Sequence, residues 1–514
     1  MIKFCLRLLL LATALFSQQT LPAETAIPER PNIVVILSDD AGFEEFGIYD
    51  VKKGTPSNTP NIDALARRGV WFAHCWGQAI CGPSRSIFLT GNYAIHNGAY
   101  DNKLTFLPGQ PDRPGNIRRN PDRLPNFTKL VHDAGYKVAV GGKWHNPAGY
   151  MVLDDHQQLG LDSYCVWDAA PGPFEQRLGK TLIPDDTWEI AAISGEPKIS
   201  RYWKPGVIQN DKVVPTTMND YGPDIFCDFI CDFIEENAKD DQPFLAYYTQ
   251  VLPHGAHCPT PDLVAQGEQP TNKNFRKGTD EGMKMFLAQV NYADKLVAKI
   301  VAKIEAMGIA DNTIIIYSSD NGTTSSAKSR GVEYGVHLPF VVAGAGIQNR
   351  GMTRELTDFT DVLPTIIDFA GTDIPANQHV DGISLKPFLT GNSETTKPAI
   401  YSFPGPARAI RTKDFMLEAV CPLYGKPFGR FYKTNGSWDG RGYENVTHSP
   451  EYAADRKQFE ELLKEYPTRL PDSWDDPVWQ DSTMQKGYKY FNEPRRSVTH
   501  LAIPNAYQFY DESF

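Results

Sequence analysis

The chain has 514 residues, 41% of them hydrophobic and 22% charged, the balance of an ordinary globular protein and long enough for two or three folding units. Its 51 basic and 62 acidic residues leave a net charge of −11 with no local Lys/Arg block, which argues against a nucleic-acid partner. Anionic small substrates stay open, because a few placed cations can dominate a pocket.

The first residues, MIKFCLRLLLLATALFS, set Lys3 and Arg7 around an apolar run from Leu8 to Phe16, and small residues follow in LPAETA. This predicts a secretory signal peptide over 1–26 and a secreted or periplasmic protein. The run is shorter than a membrane span requires, so the mature form is expected to have no integral membrane segment. Export permits disulfides. Of the eight cysteines (5, 75, 81, 165, 227, 231, 258 and 421), six remain once Cys5 leaves with the signal and Cys81 is set apart. Free buried thiols are an equal reading for those six. Cys227 and Cys231, one helical turn apart, argue against a bond to each other.

NIVVILS (32–38) is a continuous apolar run rich in β-branched residues, the pattern of a strand buried on both faces. TPNIDALARRG (59–69) predicts a helix with Thr59 as N-cap, Pro60 in the first turn and Gly69 past the end. LPNFTKLVHDAG followed by YKVAVGG reads as helix, glycine stop and strand, and DIFCDFICDFIEENA followed by PFLAYYT repeats the order. A long helix over 281–307 precedes the strand NTIIIYSS (312–319); PFVVAG (339–344) is a further strand and DFTDVLPTIIDFAG (358–371) a helix. The expected fold class is α/β, with a mostly parallel central sheet sandwiched by helices over 27–399. From 400 to 514 short antiparallel strands, one amphipathic helix and an aperiodic aromatic tail predict a smaller α+β subdomain. The stretch 146–222, Pro/Gly-rich and aromatic, is expected to be a long loop flanking the site.

Ligands of such sheets bind beyond the carboxyl ends of the strands. The residues that follow the strands are Asp39 and Asp40, Lys143 and His145, His254 and His257, and Asp320 and Asn321. Any one pair could be a solvated turn; four groups at one edge outweigh that. Asp39, Asp40, Asp320 and Asn321 offer only oxygen, which suits Ca2+ or Mg2+ rather than zinc. In CGPSRSIFLTG (81–91), Pro83 suits the first turn of a helix. Cys81 then stands at a helix N-terminus, where free N–H groups favour an anion, and Arg85 faces the same point one turn on. With Lys143 these groups suit hydrolysis of a phosphate- or sulfate-like ester with residue 81 as nucleophile.

At these residues the chain resembles the formylglycine-dependent sulfatases, the arylsulfatase-like type of the alkaline-phosphatase-like superfamily. CGPSRSIFLTG fits the signature C-x-P-S-R with its apolar stretch and T-G. PNIVVILSDDAG, GGKWH, LPHGAHCPTP, YSSDNGT and AKSRGVEYGVHLPFVV resemble the family's ordered segments across 31–345, and RGYENV its late strand-turn. The resemblance implies that Cys81 is oxidised to formylglycine by a formylglycine-generating or sulfatase-maturating enzyme. One hydroxyl of the aldehyde hydrate then attacks sulfur, the alcohol leaves, and sulfate elimination restores the aldehyde. It implies one Ca2+ held by Asp39, Asp40, Asp320 and Asn321 with residue 81 beside it, and Asp320 placed to accept the hydrate's proton. Arg85 and His145 would hold the hydrate; Lys143, His254 and Lys328 would contact the sulfate or leaving oxygen, with His254 the general acid.

Two segments depart from the family pattern. His254 and His257 both fit the histidine position, and LPHGAHCPTP favours His254. The glycines usual around the lysine are absent in SSAKSRG, which leaves Arg330 as the alternative to Lys328. His74, His96 and His132 are expected to be structural or solvated, with no role in the site, and Trp144 to pack the loop. The rival readings are a phosphate- or phosphonate-ester hydrolase of the same superfamily and an inactive binding relative. A sulfated carbohydrate is the expected substrate.

Overall fold

A computed structural model describes residues 28–50, 58–97, 99, 124–145, 155–167, 200–275, 279–323, 328, 332–402, 408–420 and 429–465. The segment 1–26, most of the 92–125 and 146–222 stretches, Cys421, Arg330 and the tail beyond 465 lie outside the described residues.

Ten strands form one sheet in the order β10-β2-β9-β8-β1-β7-β3-β4-β5-β6. They are β1 (Asn32–Ser38), β2 (Val70–Trp76), β3 (Lys137–Gly142), β4 (Ser163–Trp167), β5 (Val207–Gln209), β6 (Lys212–Val214), β7 (Phe244–Thr249), β8 (Thr313–Ser319), β9 (Phe340–Gly344) and β10 (Gly351–Asp358). The block β8-β1-β7-β3-β4 is parallel, and β9 and β5 run against it. The expected mostly parallel sheet is present. Ile33 to Leu37 are fully buried, Ile33, Val35 and Leu37 in one apolar core and Val34 and Ile36 in the other, so helices cover both faces. Each such side chain contributes at most about 1.5–3 kcal/mol.

Two expectations need correcting. The stretch 146–222 is not one loop: it carries β4, β5 and β6, short strands whose mixed polar and aromatic residues hide the alternation. Thr59 stands at the N-cap position of the helix Pro60–Ala66, but its hydroxyl makes no cap bond. It donates to Asp63 and accepts from the Gly47 amide. The free amides of Asn61 and Ile62 instead donate to Asp294 at 3.1 and 2.7 Å, which ties this helix to the long helix Asp280–Ala306.

A second, antiparallel sheet orders β11 (Ile400–Ser402), β12 (Arg408–Arg411), β13 (Phe415–Val420), β14 (Arg430–Lys433) and β15 (Glu444–Asn445), followed by the helix Ala453–Lys464. It shares its core with the first: Ile400, Ala409, Met416 and Tyr432 cluster with Trp76, Ala79, Val336 and Leu356. Buried Arg411 crosses the seam, donating to Glu333 and lying 3.2 Å from His74 Nε2. The six described cysteines are all free and buried.

His337 lies in the same seam. Its ring stacks on Phe43 at 3.8 Å, and Nε2 donates to the Ala73 carbonyl at 2.6 Å. Burial, reinforced by Arg411, pushes its imidazole down to about 3. The unfolded chain takes up that proton near 6.5 and the folded chain only near 3, so this stability is complete above 6.5 and lost as pH falls. Acidification from pH 7 to 5 is expected to remove about 2 kcal/mol through His337. Urea melts should show a smaller loss for His337→Gln than for wild type; an equal loss would disprove the assignment.

Candidate active site

The carboxyl ends of the parallel strands converge on one cluster. Asp39 and Asp40 follow β1 and Asp320 and Asn321 follow β8, and the two turns interlock: Asp320 N donates to the Ser38 carbonyl and Asp40 N to Asp320 Oδ1, both at 3.0 Å. Asp40 holds a left-handed φ of 68°, which aspartate tolerates better than most residues. β3 delivers Lys143 by pressing against the end of β7, where Lys143 N donates to the Thr249 carbonyl at 2.7 Å. The approach requires Gly142, since a Cβ there would lie 1.9 Å from the Thr249 oxygen and φ is +109°.

β2 leads into the buried helix Cys81–Thr90, which starts at Cys81, has Pro83 in its first turn and ends at Gly91 in a left-handed conformation. Cys81 Sγ lies 3.7 Å from Asp39 Oδ1, 3.7 Å from Asp40 Oδ1 and 3.1 Å from Lys328 Nζ. Arg85 is fully buried one turn on. Its Nε donates to Asp320 Oδ2 at 2.9 Å and its Nη1 to the Lys143 carbonyl at 3.0 Å, while Nη2 has no hydrogen-bond partner and lies 3.8 Å from Asp39 Oδ1. Lys143 Nζ meets both Asp39 oxygens at 2.8 and 2.7 Å, and Lys328 pairs with Asp40.

The charges shift one another strongly. Burial works to raise the Asp39 and Asp40 carboxyls, but Lys143 beside the first and Lys328 beside the second hold both well below the usual range. Asp320 is pushed up to about 6, by burial and then by Asp39. Burial pushes the Cys81 thiol up to about 12 against the pull of Lys143 and Lys328, so an unmodified residue 81 is a protonated thiol at neutral pH. Burial likewise drives His145 and His254 well below their ordinary range.

Asp39, Asp40, Cys81 and His254 each offer a ligand atom within 4.8 Å of the others. Asn321 joins them through Nδ2, which donates to Asp40 Oδ1 at 2.8 Å, while its Oδ1 is buried without a hydrogen-bond partner. A carbonyl oxygen left over among three carboxylates fits a hard divalent cation such as Ca2+.

The expected residues Asp39, Asp40, Cys81, Arg85, Lys143, His254, Asp320, Asn321 and Lys328 therefore come together. His145 follows the Lys143 turn with φ 37° and a buried, unpartnered Nδ1, and its strongest charged neighbours are Lys143 and Arg85. The two histidines of PHGAH separate: His254 Nε2 is 3.7 Å from Asp40 Oδ2, whereas His257 Nδ1 pairs with Gln289 at 3.1 Å and its ring packs on Phe286. His254→Ala is expected to lower kcat about 100-fold or more. His257→Ala should keep kcat within about threefold and lower the melting temperature. Equal kcat losses on an aryl sulfate would reverse the assignment.

One cation escaped the sequence reading. Arg201 Nη1 lies 3.5 Å from Asp39 Oδ2 and its guanidinium stacks over Trp167 at 4.0 Å. Nothing in SRYW marks it, because the partner ring comes from β4 and the carboxylate from β1.

A Sulfatase family model matches residues 31–372. An N-acetylglucosamine-6-O-sulfatase of Bacteroides thetaiotaomicron is 26% identical, with 91% of each chain covered. Human arylsulfatase A is also 26% identical, over 76% of this chain and 74% of its own. Among solved structures, Ps i-CgsB in complex with k-i-k-neocarrahexaose superposes with a TM-score of 0.67 at 22% identity, covering 91% of this chain and 98% of that one, which supports the fold. With the fold and two thirds of the chain in agreement, the protein belongs to the sulfatase family and is a sulfuric ester hydrolase.

Proposed function

We propose that this enzyme is an exported carbohydrate sulfatase that works through formylglycine made from Cys81 and one Ca2+. The observation that carries the reading is the placement of residue 81: at the start of a buried helix, between two carboxylates and Lys328. Asp39, Asp40, Asp320 and Asn321 would hold the calcium, which would supply positive charge to a sulfate oxygen. Formylglycine would supply a hydrated aldehyde as the nucleophile, in place of a thiol that burial keeps protonated.

The chain's own residues do the rest. Arg85 and His145 orient residue 81, and Lys143 and Lys328 hold the sulfate by charge-assisted hydrogen bonds. His254 contacts the leaving alcohol oxygen through a ring N–H, and Asp320 accepts a proton from residue 81. Carbohydrate as the alcohol is supported by the relatives, which include N-acetylglucosamine-6-O-, N-acetylgalactosamine-6- and ulvan-active sulfatases. Export rests on the basic-apolar-small pattern of residues 1–26; among the described residues no helix is long and apolar enough to cross a membrane. We place the catalytic domain at 27–399 and the smaller subdomain at 400–514.

Assays on matched aryl sulfate and aryl phosphate, with mass spectrometry of the peptide bearing residue 81, test the proposal. Sulfate release by protein carrying the aldehyde at 81 is expected. A wholly unmodified thiol at 81 in protein from the native source, without turnover of either ester, or a preference for phosphate, would overturn it.

A further inference from the structure

Arg201 is built into the site with more care than a counter-ion needs. Only 5% of it is exposed, and its Nε and Nη1 are buried without a hydrogen-bond partner. A buried guanidinium in that condition is costly unless something accepts from it. Its backbone is pinned on both sides. Ser200 Oγ donates to Asn272 Oδ1 at 2.8 Å, Asn272 also bonds the backbone N–H and carbonyl of Trp203, and the Tyr202 hydroxyl donates to the Val251 carbonyl at 3.1 Å and to the His254 carbonyl. Trp167 then fixes the plane of the guanidinium from below.

Its position relative to residue 81 gives it a task. Cys81 enters from β2 and reaches Asp39 through Oδ1; Arg201 lies on the β4 side, beside the His254 loop, and reaches Asp39 through Oδ2. In an in-line displacement the leaving oxygen departs away from the attacking group, and Arg201 approaches Asp39 from the β4 side whereas residue 81 enters from β2. Lys143 and Lys328 already attend the carboxylates and residue 81. We propose that Arg201 binds a second oxyanion, a carboxylate or further sulfate, carried by the sugar whose sulfate ester is cleaved, and so makes the enzyme selective for doubly acidic sugars. The inference rests on the carbohydrate sulfatase reading above.

The test uses the full chain with Cys81→Ala, which binds without turnover, and calorimetry with three probes: N-acetylglucosamine 6-sulfate, glucosamine 2-N,6-O-disulfate and a sulfated uronate disaccharide. At least one doubly acidic probe is expected to bind about 10-fold or more tighter than the singly sulfated one. Adding Arg201→Met should erase that advantage and Arg201→Lys should keep part of it. The preferred probe shows whether the second group is a sulfate or a carboxylate. With Cys81 intact, Arg201→Met should lower kcat/KM for the doubly acidic sugar about 10-fold more than for an aryl sulfate. Equal losses on both, or the same preference with and without Arg201, would overturn the proposal and leave Arg201 a counter-ion to Asp39. Absence of sulfate release by wild type from every sulfated compound would instead refute the sulfatase reading, and the binding comparison would still stand.

Discussion

Cys81→Ala is expected to abolish sulfate ester hydrolysis, by about 10,000-fold or more in kcat, while the protein stays folded. The catalytic loss follows because, in the proposed function, residue 81 supplies the attacking group. The fold should survive for a local reason. Sγ is not the partner that keeps the carboxylates stable; Asp39 stays paired with Lys143, and Asp40 with Lys328. Alanine also starts a helix as well as cysteine does, so the change removes one buried atom, worth roughly 1 kcal/mol. Far-ultraviolet circular dichroism and a urea midpoint near wild type would show retained structure. Cys81→Ser adds a sharper comparison. Its alcohol reaches the aldehyde only by a two-electron oxidation that mass spectrometry of residue 81 detects, so near wild-type kcat from a serine that stays unoxidised would refute the aldehyde chemistry.

How far the sequence could be read depended on where each residue's partners lie in the chain. β1, β3, β7 and β8 were legible because a strand buried on both faces is an unbroken apolar run, and after β1, β3 and β8 the next residue lies in the site cluster. β2 was not: VWFAHCW interrupts its apolar residues with His74, whose partner Arg411 lies in the second sheet. β10 was missed for a related reason, since GMTRELTD alternates half-buried and exposed residues over its first half and shifts register between Thr353 and Leu356. The helix that begins at Cys81 was legible from Pro83, because the constraint is local. Arg201 was beyond reach, since its meaning comes from Trp167, Asp39 and Asn272, all distant in sequence. The choice between His254 and His257 was open for the same cause: both side chains follow one strand, and Gln289 and Phe286 on the long helix claim the second.

Removal of calcium should stop turnover, and the two residues after β8 should fail in different ways. Chelation is expected to lower activity about 100-fold or more, restored by Ca2+ rather than Zn2+, because the donor set is oxygen-rich. The melting temperature should fall with it, since about 2.7 kcal/mol of stability accompanies a ligand at 100 times its Kd. Asp320, proposed as a ligand, also holds the protein together: its oxygens accept from Asp40 N and Arg85 Nε. Asp320→Ala would strand a buried guanidinium, at about 3–5 kcal/mol, so its stability should drop with or without Ca2+. Asn321 Nδ2 donates to Asp40 Oδ1 and to the adjacent Gly322 carbonyl, and its Oδ1 is unused by the protein. Asn321→Ala should therefore cost roughly 1 kcal/mol without metal, yet need at least about 10-fold more Ca2+ for half-maximal activity. Calcium titrations of activity and melts in chelator separate these outcomes. If Asn321→Ala has the calcium requirement of wild type, Asn321 is not a ligand, and its unpartnered oxygen needs another explanation.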